Sequence, residues 1–140
     1  MCIYYFVISN RHENNGARIL NADILIIMTL TKTIRVNDHV LSVTIANHFF
    51  SRLRGLLFKP ALKLNEAILI TPCSSVHTLG MRYAIDIVFL GADNQILKLV
   101  NNCLPTRIAS CKHAKHCLEL LAGESARLGF KAGMQLPTML

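Results

Sequence analysis

The chain has 140 residues, 52% of them hydrophobic and 16% charged, with a formal net charge of +7. That length fits one domain with a core large enough to fold unaided, and the composition excludes a disordered or collagen-like chain. No apolar run reaches about 18 residues, so no membrane span is expected, and scattered Lys and Arg residues without tryptophan give no stacking platform, so no nucleic-acid partner is expected.

The opening MCIYYFVISN is apolar, but no Lys or Arg precedes it. The stretch that follows, RHENNGARILNAD, is polar and holds no A-x-A cleavage site, so a secretory signal is not expected. Residues 1–30 read as an N-terminal extension, either a disordered tail or an over-long start with Met28 as the true first residue. The competing reading makes them an edge strand.

From Lys32 the pattern is orderly. KTIRV, the polar pair Asn37-Asp38 and VLSVTIA predict a hairpin, in which Leu41, Val43 and Ile45 alternate with Ser42 and Thr44. Asn47 is placed to cap a helix near 48–57, where Phe49, Leu53, Leu56 and Leu57 recur at helical spacing until Pro60 breaks the pattern. EAILITP predicts a third strand. AIDIVFLG and QILKLV, on either side of Ala92-Asp93-Asn94, predict a second hairpin. Cys117 to Leu121 predicts another strand. GESARLG predicts a short helix near 123–129, closed by Gly129 in the left-handed conformation, and Gly133 opens a last turn. The expectation is a mainly β single domain over residues 31–140: a sandwich or partly closed barrel of short antiparallel strands with two short helices.

Chemical signals are sparse. No nucleophile elbow, phosphate loop, zinc-protease motif or paired carboxylate motif occurs. The five cysteines (Cys2, Cys73, Cys103, Cys111 and Cys117) are odd in number and fit no disulfide framework, so reduced thiols in a cytoplasmic protein are expected. The densest polar segment is PCSSVHTLGMRYAIDIVFLG. Cys73, His77 and Met81 recur every four residues with soft or borderline ligand atoms, and copper would need a second histidine such as His39 or His48. Against copper, sixty residues follow a loop that copper proteins place near the chain end. Cys111, His113, His116 and Cys117, with Cys103, hold ligands for zinc, but His116 and Cys117 point to opposite sides if they lie on a strand. Asp86, between Ile85 and Ile87, is expected to be buried and either ion-paired or bonded to backbone N–H groups, holding the His77–Arg82 loop; the competing reading has Asp86, Arg82 and His77 converge on a pocket for an anionic or polar ligand.

RLRGLLF, SVHTLGMRYAIDIVFL, LELLAG and GFKAG, in that order, give the chain a further meaning. Over about residues 32–137 it resembles the bacterial and archaeal domain-of-unknown-function family 192. The resemblance implies a jelly-roll-like, mostly β domain and no established reaction. Relatives commonly carry proline where Ala84 stands and an aromatic residue where His77 stands, and many follow a secretion signal.

Three functions compete. The first is a small binding or accessory domain that presents Cys73, Ser75, His77, Thr78, Met81, Arg82 and Asp86 to a small-molecule or protein partner and needs no cofactor. The second is a metal-binding protein using Cys73, His77 and Met81, or Cys111 and His113. The third is an enzyme with His77 and Asp86 as an acid–base pair, which would also need a nucleophile or bound water in reach. The first is the expectation carried forward.

Overall fold

The structure, a computed structural model, describes residues 30–46 and 61–140. The expected helix near 48–57 and the readings of residues 1–29 lie outside the described residues. In chain order the elements are β1 (Leu30–Val36), β2 (His39–Ala46), β3 (Glu66–Ile70), β4 (Ser75–His77), β5 (Ile85–Leu90), β6 (Ile96–Cys103), β7 (Ile108–Ser110), β8 (His116–Leu121) and α1 (Glu124–Arg127). A mainly β domain is what the sequence leads one to expect, and it is what forms.

Six strands make one sheet in the order β1-β2-β3-β8-β5-β6, and β4 pairs with β7 as a separate ribbon. Both expected hairpins are present. Asn37 (φ 53) turns β1 into β2, and Asn94 (φ 66) lies between β5 and β6. Asparagine tolerates this left-handed backbone better than other side chains do. Two features depart from the sequence reading. β2 and β3 run parallel, whereas the other sheet pairs are antiparallel. Residues 47–65 are long enough for the crossover that a parallel pair requires. The sheet also stays open among the described residues, with β1 and β6 at its edges, so it does not close into a barrel. β4 and β7, three residues each, are strands that the sequence pattern did not reveal.

Both faces of the central strands are covered, which is why IDIVFL is buried at every position. On the first face Val88 and Leu90 join Leu41, Val43, Leu69 and Leu118, closed over by Leu128, Phe130, Leu136 and Met139 from the chain's last segment. On the second face Ile85, Ile87 and Phe89 join Ile68, Ile70 and Cys117, with Val76 of β4 and Ala109 of β7 packed on top. The β4–β7 ribbon is therefore a second layer on this face.

The helix α1 has a single turn, and Gly129 (φ 72) ends it in the expected left-handed conformation. Its Glu124 is 2% exposed and takes Arg127 Nε at 2.6 Å and Nη2 at 2.9 Å, while Asn65 donates its backbone N–H to Oε2 at 2.9 Å. The Arg127 guanidinium holds the Glu124 carboxyl below its ordinary value of 4.5. A carboxyl depressed on folding stabilises above its unfolded pKa, and that contribution is lost as pH falls through the folded value. Glu124→Gln is thus expected to cost about 1–2 kcal/mol at neutral pH and to flatten the loss of stability below about pH 4.5. Urea unfolding across the acid range checks both; an unchanged acid limb would refute the assignment.

Candidate functional site

Strand alternation sorts the residues of the ribbon. Val76 and Ala109 point to the core, so the cross-strand pairs His77–Ile108 and Ser75–Ser110 face outward. Ser75 Oγ donates to the Ala109 carbonyl at 3.3 Å. The next residue after the ribbon, Thr78, is 1% exposed and fastens two loops together. Its hydroxyl donates to the Leu104 carbonyl at 2.7 Å and accepts the Arg107 N–H at 2.9 Å. Its backbone N–H donates to the Arg107 carbonyl at 2.9 Å, and its carbonyl accepts the Thr106 N–H at 3.0 Å. Sequence reasoning singled out the first loop but missed this partner, residues 104–107.

Leu79 (46% exposed), Leu104 (51%) and Ile108 (75%) stand out from these fastened segments. Basic groups lie on these segments and at the end of β7. Arg82 is exposed in the same loop, and Arg107 is exposed with Nη1 donating to the Thr106 carbonyl at 3.1 Å. Lys98 Nζ donates to the Ser110 carbonyl at 2.9 Å. Cys73 and Met81 do not belong to the surface in the same way. Cys73 is buried, with its thiol donating to the Ser75 carbonyl at 3.3 Å, and Met81 is half-buried against the second-face core.

Asp86 requires a correction. It is fully buried, as expected, but its carboxylate does not hold the His77–Arg82 loop. Oδ1 accepts the Asn102 N–H at 2.8 Å; Oδ2 accepts the Gly123 N–H at 3.0 Å, the Ser125 N–H at 3.0 Å and the Ser125 hydroxyl at 2.5 Å. The reason lies in the alternation itself. Ile85 and Ile87 face the second core, so Asp86 faces the first, together with Val88 and Leu90. His77 and Asp86 therefore lie on opposite sides of the main sheet and do not form an acid–base pair.

A second buried carboxylate went unnoticed in the sequence. Glu119 of β8 is 2% exposed and pairs across the strands with Ile68 and Ile87, which places it on the second face. Burial first, and the Glu119 charge second, push the Tyr83 phenol above its ordinary value. Tyr83 itself is half-buried against the same core. A glutamate inside the apolar run CLELL is the same signal as the aspartate inside IDIVFL.

Residues 31–138 match the family DUF192, described as Uncharacterized ACR. The chain belongs to that family. Two solved structures share the fold. One is a protein of unknown function from Novosphingobium aromaticivorans DSM 12444, with 22% identity and a TM-score of 0.68, covering 79% of this chain and 85% of that one. The other is a candidate transcription regulator from Sinorhizobium meliloti 1021, with 22% identity and a TM-score of 0.66, covering 75% of this chain and 89% of that one. No curated protein matches the chain.

In this DUF192 domain no three His, Cys, Asp or Glu side chains gather, among the described residues, as a metal ion would require. His39 places Nδ1 3.1 Å from Arg127 Nη1, on the α1 side, and His48 lies outside the described residues. In the 111–117 segment His113 is exposed and Cys111 half-buried, while Cys117 belongs to the second-face core. His116 turns instead to Thr71, whose Oγ1 lies 2.7 Å from Nδ1.

The two partly buried histidines set a pH response. Burial lowers the pKa of both His77 and His116 from 6.5. As pH falls, the unfolded chain binds protons before the folded domain does, so stability falls from about pH 6.5 downward. His77 adds a structural cost, because its Nδ1 accepts the Leu79 N–H at 3.3 Å and loses that role when protonated there. Thermal midpoints measured between about pH 7.5 and pH 5 are expected to drop, and the drop is expected to shrink in His116→Gln. A midpoint that rises on acidification would overturn the sign.

Proposed function

We propose that this DUF192 domain is a small binding or accessory module whose contact face is the outer side of the β4–β7 ribbon with the 77–82 and 104–108 segments. The observation that carries the reading is the joint exposure of Leu79, Leu104 and Ile108 on loops locked by the buried Thr78. Single exposed apolar side chains need no explanation, but a group on a rigid support marks a contact site. In this reading the expected face divides by role. Ser75, His77 and Arg82 meet the partner, while Cys73, Thr78 and Met81 hold the surface beneath. Asp86 supports the framework from the other side of the sheet.

Finer points of architecture and location belong with this proposal. The six-stranded sheet and the ribbon serve as the two layers of a jelly-roll-like sandwich. A cytoplasmic location is supported by the reduced thiols of Cys103 and Cys111. No helix among the described residues is long and apolar enough to cross a membrane.

The test is amide shift mapping by NMR with a library of small molecules and short peptides. Hits are expected to move the amides of residues 75–82 and 104–110. They are expected to be lost in a Leu79→Ser, Ile108→Ser double variant that keeps its thermal midpoint. Hits that map to another surface, and survive that double variant, would sink the proposal.

A further inference from the structure

We infer that the occupant of this face is a protein segment that combines acidic with apolar side chains, an inference that rests on the binding-face reading above. Three of the seven large apolar side chains that stand exposed among the described residues are Leu79, Leu104 and Ile108, on adjoining segments. The backbone ladder sets Ile108 beside His77, and Thr78 binds both the Leu104 and Arg107 carbonyl ends of the neighbouring loop.

The charges beside this patch have one sign. Arg82 and Arg107 are exposed on the same two loops, and Lys98 reaches the end of β7. Lys112 follows β7 by two residues and is exposed. The described carboxylates are committed elsewhere. Asp86, Glu119 and Glu124 are buried, Asp38 lies in the β1–β2 turn, Glu66 opens β3 and bonds Lys63 N–H, and Asp93 lies in the β5–β6 turn, where it takes the Gln95 N–H. Cations beside an apolar centre favour a partner of opposite charge, because like charges facing one another are costly and complementary ones steer encounter. A nucleic acid is a poorer fit. It would meet branched aliphatic side chains where an aromatic stacking surface serves it better. A peptide with leucine or isoleucine between carboxylates meets both parts of the surface at once.

The test uses the full chain and fluorescence anisotropy with four labelled probes: a peptide alternating Glu and Leu, a peptide alternating Lys and Leu, a single-stranded oligonucleotide, and phosphatidylserine vesicles. The Glu–Leu peptide is expected to bind best, and more weakly as salt rises. Ile108→Ser is expected to weaken it about tenfold, the scale of an interface anchor. Arg82→Glu with Arg107→Glu is expected to do the same or more, and circular dichroism of each variant reports whether it stays folded.

Equal or tighter binding of the Lys–Leu peptide overturns the inference, as does indifference to the charge reversals. Preference for the oligonucleotide or the vesicles overturns it too, yet leaves the binding face standing if the shifted amides are those of residues 75–82 and 104–110. Shifts confined to other residues overturn both readings. If none of the four probes binds, the acidic–apolar occupant is refuted, while the face itself is judged by the library screen above.

Discussion

Asp86→Asn is expected to destabilise the domain by about 2–4 kcal/mol, because a buried carboxylate that satisfies several donors has no neutral substitute. Register explains one of these donors. Between Ile85 and Ile87 the opposing strand advances from Cys103 to Val100, so it carries an extra residue, and the Asn102 N–H turns to Asp86 Oδ1. The others belong to α1. The residue before that helix, Gly123, has no side chain to cap it, and Asp86 Oδ2 provides the missing acceptor for the Gly123 and Ser125 N–H groups from the sheet. An asparagine keeps one oxygen and turns an amide N–H₂ toward donors. Urea unfolding gives the magnitude, and hydrogen exchange gives the location. Protection is expected to fall at the amides of Asn102, Gly123 and Ser125. A loss below about 1 kcal/mol would show that water or another acceptor replaces the carboxylate.

Phe89→Ala is expected to be the most damaging core substitution, at about 3–5 kcal/mol. Phe89 has no exposed surface and lies in β5, flanked by β8 and β6. It belongs to the second-face core, where the small side chains of Ala46, Ala109 and Ala114 leave little that can expand into a vacated ring. Val76 and Ala109 of the ribbon rest on that core, so the effect should reach the proposed contact face. Exchange of ribbon amides is expected to accelerate more in Phe89→Ala than in Leu90→Ala, whose side chain fills the first face. Equal acceleration in both variants would show that the ribbon is insensitive to the core beneath it.

Local chemistry made much of the fold readable. The hairpin turns at Asn37-Asp38 and Ala92 to Asn94, the strands EAILI and CLELL, and the short helix ended by Gly129 each carry a signal within a few residues. The parallel pairing of β2 with β3 carries none, because it depends on the path of an intervening crossover. β4 and β7 are too short to display an alternation, and each exists only because the other lies beside it. The candidate site shows the same division. Its first loop was legible as a concentration of Cys, Ser, His, Met and Arg. The 104–107 segment was not, since LPTR bears no motif and gains its place through backbone bonds to Thr78. The direction of Asp86 is not legible in IDIVFL, because turning inward names no single interior when β5 has one on each side.

The position of β8 in the sheet has a consequence for synthesis. β1, β2 and β3 form one half, β5 and β6 the other, and β8 is the strand that joins them. A nascent chain makes both halves well before it makes His116. Until then the half-sheets present the open edges of EAILI and IDIVFL, two apolar strands with unanswered backbone groups. A ribosome stalled before that point holds a product prone to join neighbours edge to edge. The synthesis of β8 is thus the step that closes both edges and protects the growing chain from its neighbours.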